Sequence, residues 1–166
     1  MGKTFKKALA FCLLMTFILS IASTAFAAKR CVVGISGNMN KTVTFTVTTD
    51  NNWRIGYDKI KLSQSKGTMR YESAWRGYKT MNIYGRYTIY CKSNRTGRVV
   101  TNNAIWKDGG FTIYLPERNS EYTVTVKPLA WSDIQAAYIW YGVMDRWTRV
   151  PTWCITKDRG ISLYSY

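Results

Sequence analysis

The stretch Thr42-Val-Thr-Phe-Thr-Val-Thr48 alternates strictly between apolar and hydroxyl side chains over seven residues. A period of two places Val43, Phe45 and Val47 on one side of an extended strand and the threonines on the other; a helix would scatter them around its circumference. The same constraint runs through the rest of the chain. From Ala28 onward there are 10 Val, 11 Ile and 16 Thr, against only 4 Leu and 6 Ala. Branched Cβ atoms restrict χ1 in a helix and pack well on a pleated surface, so this balance specifies a mostly β domain.

Turn chemistry punctuates the strands. Asp50-Asn51-Asn52 follows the first one. Tyr87-Thr-Ile-Tyr-Cys91 is a second, closed by Ser93-Asn-Arg-Thr-Gly97, and Val99-Val100 begins its return. Asp108-Gly109-Gly110 precedes Phe111-Thr-Ile-Tyr-Leu115, and Pro116 to Ser120 turns the chain into Tyr122-Thr-Val-Thr-Val126. Further strands are expected at 31–36, 59–63, 67–73, 152–156 and 161–165. Val43, Phe45, Val47, Ile89, Val124 and Val126 are expected to face one core.

The stretch 131–145 reads two ways. It is a short helix capped by Ser132 or Asp133, with Ile134, Ala137, Tyr138 and Tyr141 as its apolar stripe, or it is an aromatic strand. Many short strands without alternating helices imply an all-β fold. The expected architecture is a small antiparallel β-sandwich, jelly-roll-like or Ig-like, with one short helix near 132–141. The segment Tyr87 to Lys127 resembles the jelly-roll modules appended to exported bacterial enzymes, in its strand, glycine turn, strand and Tyr-Thr-Val strand. That resemblance implies a fold and carries no site.

The N-terminus has the three parts of a secretion signal in order. Lys3, Lys6 and Lys7 precede an apolar stretch from Ala8 to about Ile21, and Ala25-Phe26-Ala27 is an A-x-A cleavage pattern. Residues 1–27 are therefore expected to be removed, leaving 28–166 as a single β-sandwich domain, secreted or associated with the cell surface. No transmembrane segment is expected after cleavage. Cys31, Cys91 and Cys154 remain, and an oxidising compartment favours pairing. One disulfide is expected, Cys31–Cys154 or Cys31–Cys91 being the favoured pairs, with the third thiol free or bridged to a partner.

Several chemistries are excluded or unsupported. The chain has no His, which removes Ser-His-Asp and Cys-His nucleophile systems and most zinc sites. Ser63-Gln-Ser-Lys66 matches S-x-x-K, but no Lys-Thr-Gly partner exists and the setting is strand-like. Thr49-Asp50-Asn51-Asn52 lacks the further oxygen ligands calcium needs. The acidic residues are scattered beside turns and basic neighbours, with no motif joining two of them. No catalytic residue, metal or cofactor is expected.

What remains is charge and aromatics. Beyond residue 27 there are 21 Lys and Arg against 9 acids, a net charge of +12. Aromatics interleave with this charge in Ile139-Trp-Tyr-Gly-Val-Met-Asp-Arg-Trp147, followed by Arg149 and Trp153. Flat rings stack on sugars, and arginine binds anions or stacks. Trp140, Tyr141, Arg146, Trp147 and Arg149 are the candidate binding residues. They serve that role if the rings are exposed; otherwise they fill a core poor in Leu and Phe. The expected function is an exported, non-catalytic binding domain for carbohydrate or an anionic surface polymer, with nucleic acid not expected as the physiological partner. The rivals are a secreted cationic toxin or antimicrobial effector on anionic membranes, and an orphan hydrolase needing two convergent carboxylates.

Overall fold

A computed structural model describes residues 29–51, 58–105, 110–156, 158 and 160–166. The signal segment, Asn52 and the Asp108-Gly109 turn lie outside the described residues. Among the described residues the fold is an all-β antiparallel sandwich with one short α-helix and no closed barrel. Sheet A has six strands in the order β1 (Arg30–Val32), β13 (Ile161–Ser165), β3 (Val43–Thr49), β10 (Glu121–Pro128), β7 (Tyr87–Ser93) and β8 (Val99–Ile105). Sheet B has four: β2 (Gly34–Asn38), β12 (Thr152–Thr156), β4 (Lys59–Ser65) and β9 (Phe111–Tyr114). Sheet C has three: β11 (Val143–Arg149), β5 (Gly67–Ser73) and β6 (Gly77–Ile83).

Sheets B and C are one ribbon folded over. β4 runs into β5 across Lys66 alone, β11 runs into β12 across Val150-Pro151, and the two pairs of strands stay hydrogen-bonded on both sides of the bend. Gly67 makes the bend possible. A Cβ there would lie 2.4 Å from the Arg149 carbonyl oxygen and 2.4 Å from Pro151 Cδ.

The inner faces of A and B meet around Trp153. Its indole lies 6.4 Å from the rings of both Phe45 and Tyr87, and the Tyr87 hydroxyl donates to the Pro151 carbonyl. Phe45, Val47, Ile89, Val124 and Val126 are fully buried, as their alternation requires, and Val43 is half-buried at the strand end. Thr46, on the side of β3 opposite Phe45, is buried as well. Its Oγ1 shares a 2.5 Å hydrogen bond with the Tyr166 hydroxyl of the C-terminal residue.

The disulfide expectation is corrected: Cys31, Cys91 and Cys154 are all free thiols. Three strands separate β1 from β7, so Cys31 and Cys91 are about four ladder spacings, or roughly 19 Å, apart. A disulfide needs Cα atoms within about 7 Å. Cys154 points outward from β12 because its neighbours Trp153 and Ile155 point inward, while Cys91 is in the core. Burial pushes the Cys91 thiol up to about 12.

Of the two readings of 131–145 the helical one is found, and the strand that follows begins only at Val143. A helix, α1 (Trp131–Ala137), leads to a 3-10 turn at Ile139–Tyr141 and then to β11. Ala130 occupies the cap position with no side-chain cap bond; Ser132 and Asp133 lie inside the first turn. Only Ile134 of the expected stripe is buried. The helix stops before Tyr138, so its 3.6-residue spacing never carries Tyr141 to the inner face. Among the described residues no helix is long and apolar enough to cross a membrane.

Candidate functional site

Among the described residues, one end of sheet C gathers most of the exposed large apolar side chains. β5 and β6 pair in regular register from Gly67↔Ile83 to Ser73↔Gly77, so the residues between them, Ala74-Trp75-Arg76, form the hairpin tip. On the other side of β5, Val143 pairs with Glu72, which delivers the Ile139–Tyr141 turn to the same end. Gly142 permits the approach. It has φ of 131°, and a Cβ would lie 2.0 Å from the Glu72 carbonyl oxygen.

The result is two almost wholly solvated tryptophans, Trp75 at 93% and Trp140 at 94% exposure, with Ile139 at 68% and Val143 at 67%. Tyr141 and Tyr78 are exposed too. A groove of about 450 Å³ runs beneath. Its walls are Ala74, Ala136, Ile139, Val143 and Met144, with Glu72 and Gln135 as polar members.

α1 props this end from behind. Ile134 is buried, Trp131 meets Trp147 edge-on with ring centroids 6.1 Å apart, and Gln135 Nε2 donates to the Met144 carbonyl. Arg86 donates to the Tyr138 hydroxyl at 2.7 Å and ties the end of the helix to the connection between β6 and β7. The outer face carries charge. Arg70 pairs with Asp145 and lies 4.3 Å over the Tyr78 ring, while exposed Arg146 approaches Asp145 at 3.9 Å.

The five sequence-derived residues do not form one cluster. Trp140 and Tyr141 are exposed at the tip, and Arg146 is exposed midway along β11. Trp147 is half-buried against Trp131. Arg149 is at the far end of β11, about 20 Å from Val143 at strand rise, where its guanidinium donates to the Lys66 carbonyl at 2.6 Å. Trp153 is core. Trp75 was missed, although its setting in Ser73-Ala-Trp-Arg-Gly77 after a strand is a turn signal that should expose a ring.

Carboxylates converge in two other places. Glu117 accepts hydrogen bonds from Thr96 and Ser93 hydroxyls at 2.6 and 2.7 Å and pairs with Arg95 at 3.5 Å. Those hydroxyls, and secondarily the guanidinium, hold it below the usual glutamate range. Glu121, bonded by Lys29 and Asn94, is lowered likewise. Both clamp the turn that joins β7 to β8. Asp50 and Asp58 meet at Gly160, their Oδ1 atoms 3.6 and 2.9 Å from where its Cβ would be. Desolvation, then the Asp50 charge, raises Asp58. Ser63 of the S-x-x-K match is on β4 and Lys66 at the bend, so the two do not share a helix face. Among the described residues no three His, Cys, Asp or Glu side chains are grouped to hold a metal.

No known protein-family model matches the chain, and no curated protein is detectably similar to it.

Proposed function

We propose that the protein is an exported, non-catalytic binding domain that attaches to an anionic polymer or glycan at a cell surface, with the exposed end of sheet C as its contact region. The observation that carries this reading is the presence of Trp75 and Trp140, both nearly fully solvated, at one end of sheet C in a strongly basic chain. Aromatic faces bind sugar rings, and a net positive field speeds encounter with polyanions. Export rests on the order of Lys3, Lys6, Lys7, the apolar stretch and Ala25-Phe26-Ala27; N-terminal sequencing of secreted material starting at Ala28 supports it.

The test is retention on immobilised polyanion and on neutral glycan across a salt series. Field-driven binding weakens with salt, because screening sets in over about 8 Å at physiological ionic strength. Elution from polyanion by salt supports the reading. Salt-insensitive retention on neutral glycan, lost in Trp140→Ala, moves the weight from charge to stacking. Retention on neither refutes it. The rival reading, a cationic effector acting on anionic membranes, draws support from Ile139 and Val143, two exposed aliphatic side chains at the same end.

A further inference from the structure

We infer that the end of sheet C inserts into the interfacial zone of an anionic lipid bilayer. The inference rests on the reading above that this end is the contact region, and it names the surface contacted. Trp75, Ile139, Trp140 and Val143 converge from two turns brought together by the Val143↔Glu72 register. Other exposed large apolar residues on the described chain, such as Val33, Tyr114 and Val99, sit on separate strands or connections and form no such group.

The chemistry of the group selects among ligands. Aliphatic side chains offer nothing to the hydroxyls of a sugar, and the groove walls of Ala74, Ala136, Val143 and Met144 suit an acyl chain. Tryptophan, with a flat apolar body and one N–H, is the residue that favours the headgroup boundary. Tyr141 of the 3-10 turn and the half-buried Tyr138 before it are tilted 48° to each other rather than coplanar, so this pair does not extend a sugar platform.

Charge supplies the choice of lipid. Arg70, Arg76, Lys79 and Arg146 face Glu72, Asp133 and Asp145 around the end, and Asp145 is already paired with Arg70. The end itself is close to neutral, so apolar burial drives insertion while the surplus over the whole domain steers it to anionic headgroups. The same surplus makes two copies repel, which argues against a second copy as the occupant.

The experiment uses the full secreted chain with three probes: phosphatidylglycerol–phosphatidylcholine vesicles, phosphatidylcholine vesicles, and soluble polyglutamate. Expected are co-sedimentation with the anionic vesicles, a blue shift of tryptophan emission, and quenching by brominated acyl chains. Trp75→Ala and Trp140→Ala should each weaken vesicle partition by about tenfold, as removal of one buried ring predicts. Because both side chains are solvated, circular dichroism of these variants should match the parent. Polyglutamate binding without vesicle binding overturns this inference and leaves the polymer reading intact. Failure to bind either kind of vesicle or polyglutamate, together with no retention on the neutral glycan of the salt series above, overturns both. Vesicle binding without a blue shift and unchanged in the double variant also overturns it, since the contact would then be charge alone.

Discussion

Replacing Gly37 by Ala tests the packing at the centre of the sandwich. Gly37 on β2 is the register partner of Trp153 on β12, and the indole folds across it. An added Cβ would lie 2.5 Å from Cζ2, 2.7 Å from Cε2 and 2.8 Å from Nε1. Ordinary contact needs about 3.5–4.0 Å, so roughly 1 Å must be found. Trp153 is 1% exposed and backed by Phe45 and Tyr87, so it has no free space to move into. The strand or the ring must shift, at a cost of about 1–3 kcal/mol. For a domain of this size that is a fall of about 4–12 °C in Tm. Trp153→Leu removes the indole at its own cost of about 2–4 kcal/mol. In that background Gly37→Ala should cost nearly nothing, or stabilise slightly, because glycine is a poor strand residue. Urea unfolding of the four proteins, with m-values checked for constancy, gives the coupling, expected at about 1–3 kcal/mol. Equal cost in both backgrounds, or a Gly37→Ala protein within about 0.5 kcal/mol of the parent, would refute the cross-strand packing.

Phe45→Ala should destabilise by about 3–5 kcal/mol in the same assay and Thr46→Ala by about 1–2, since the first leaves a core cavity and the second removes one part-buried hydrogen bond. In the native secreted protein, Cys31 and Cys154 should react promptly with a thiol reagent and Cys91 only on unfolding; an oxidised pair within one chain contradicts the geometry. Glu117 and Glu121 are held below their ordinary value near 4.5, so their contribution is complete above that pH and is lost as pH falls through their folded values. Asp58 is raised and acts in the opposite sense. Glu117→Gln should therefore lower stability at pH 7 and flatten the acid-side decline in a pH series of denaturation midpoints.

Elements whose side chains divide cleanly between core and solvent were readable from the chain. The strands at 87–93 and 121–128 bury every second residue, and 43–49 does so apart from Thr46, so their alternation is visible because one face is in the core. β6 was not foreseen. It is an edge strand, and Gly77 to Thr80 are all exposed, so no face imposes a period on it. β11 hid for a different reason. Register shifts between Met144 and Arg146 and between Trp147 and Arg149 break the two-residue spacing, so Met144 and Trp147 share an inner face although three positions apart. The disulfide expectation failed because pairing depends on strand order, and neighbours such as β13 and β3 are far apart in sequence.

The candidate site was half visible for a related reason. Composition identified an aromatic and basic stretch, but a ring in such a stretch serves either core or surface, and the backbone decides which. Trp153 follows a bend that turns it inward, Trp147 is covered by Trp131 of α1, and Trp140 falls in the three-residue turn where neither helix nor strand covers it. Trp75 is at a hairpin tip for the same cause. Neither of the two exposed rings helps the fold. A side chain more than nine-tenths solvated has almost no apolar area removed from water, so Trp75→Ser and Trp140→Ser should each change stability by less than about 0.5 kcal/mol. Every other tryptophan on the described chain is at least half-buried. Thermal unfolding of the two variants decides the point: a loss above about 1 kcal/mol in either would mean that its ring packs on the protein itself. Neutral stability combined with lost surface binding would assign both rings to contact alone, the only role left to an apolar group that the fold does not use.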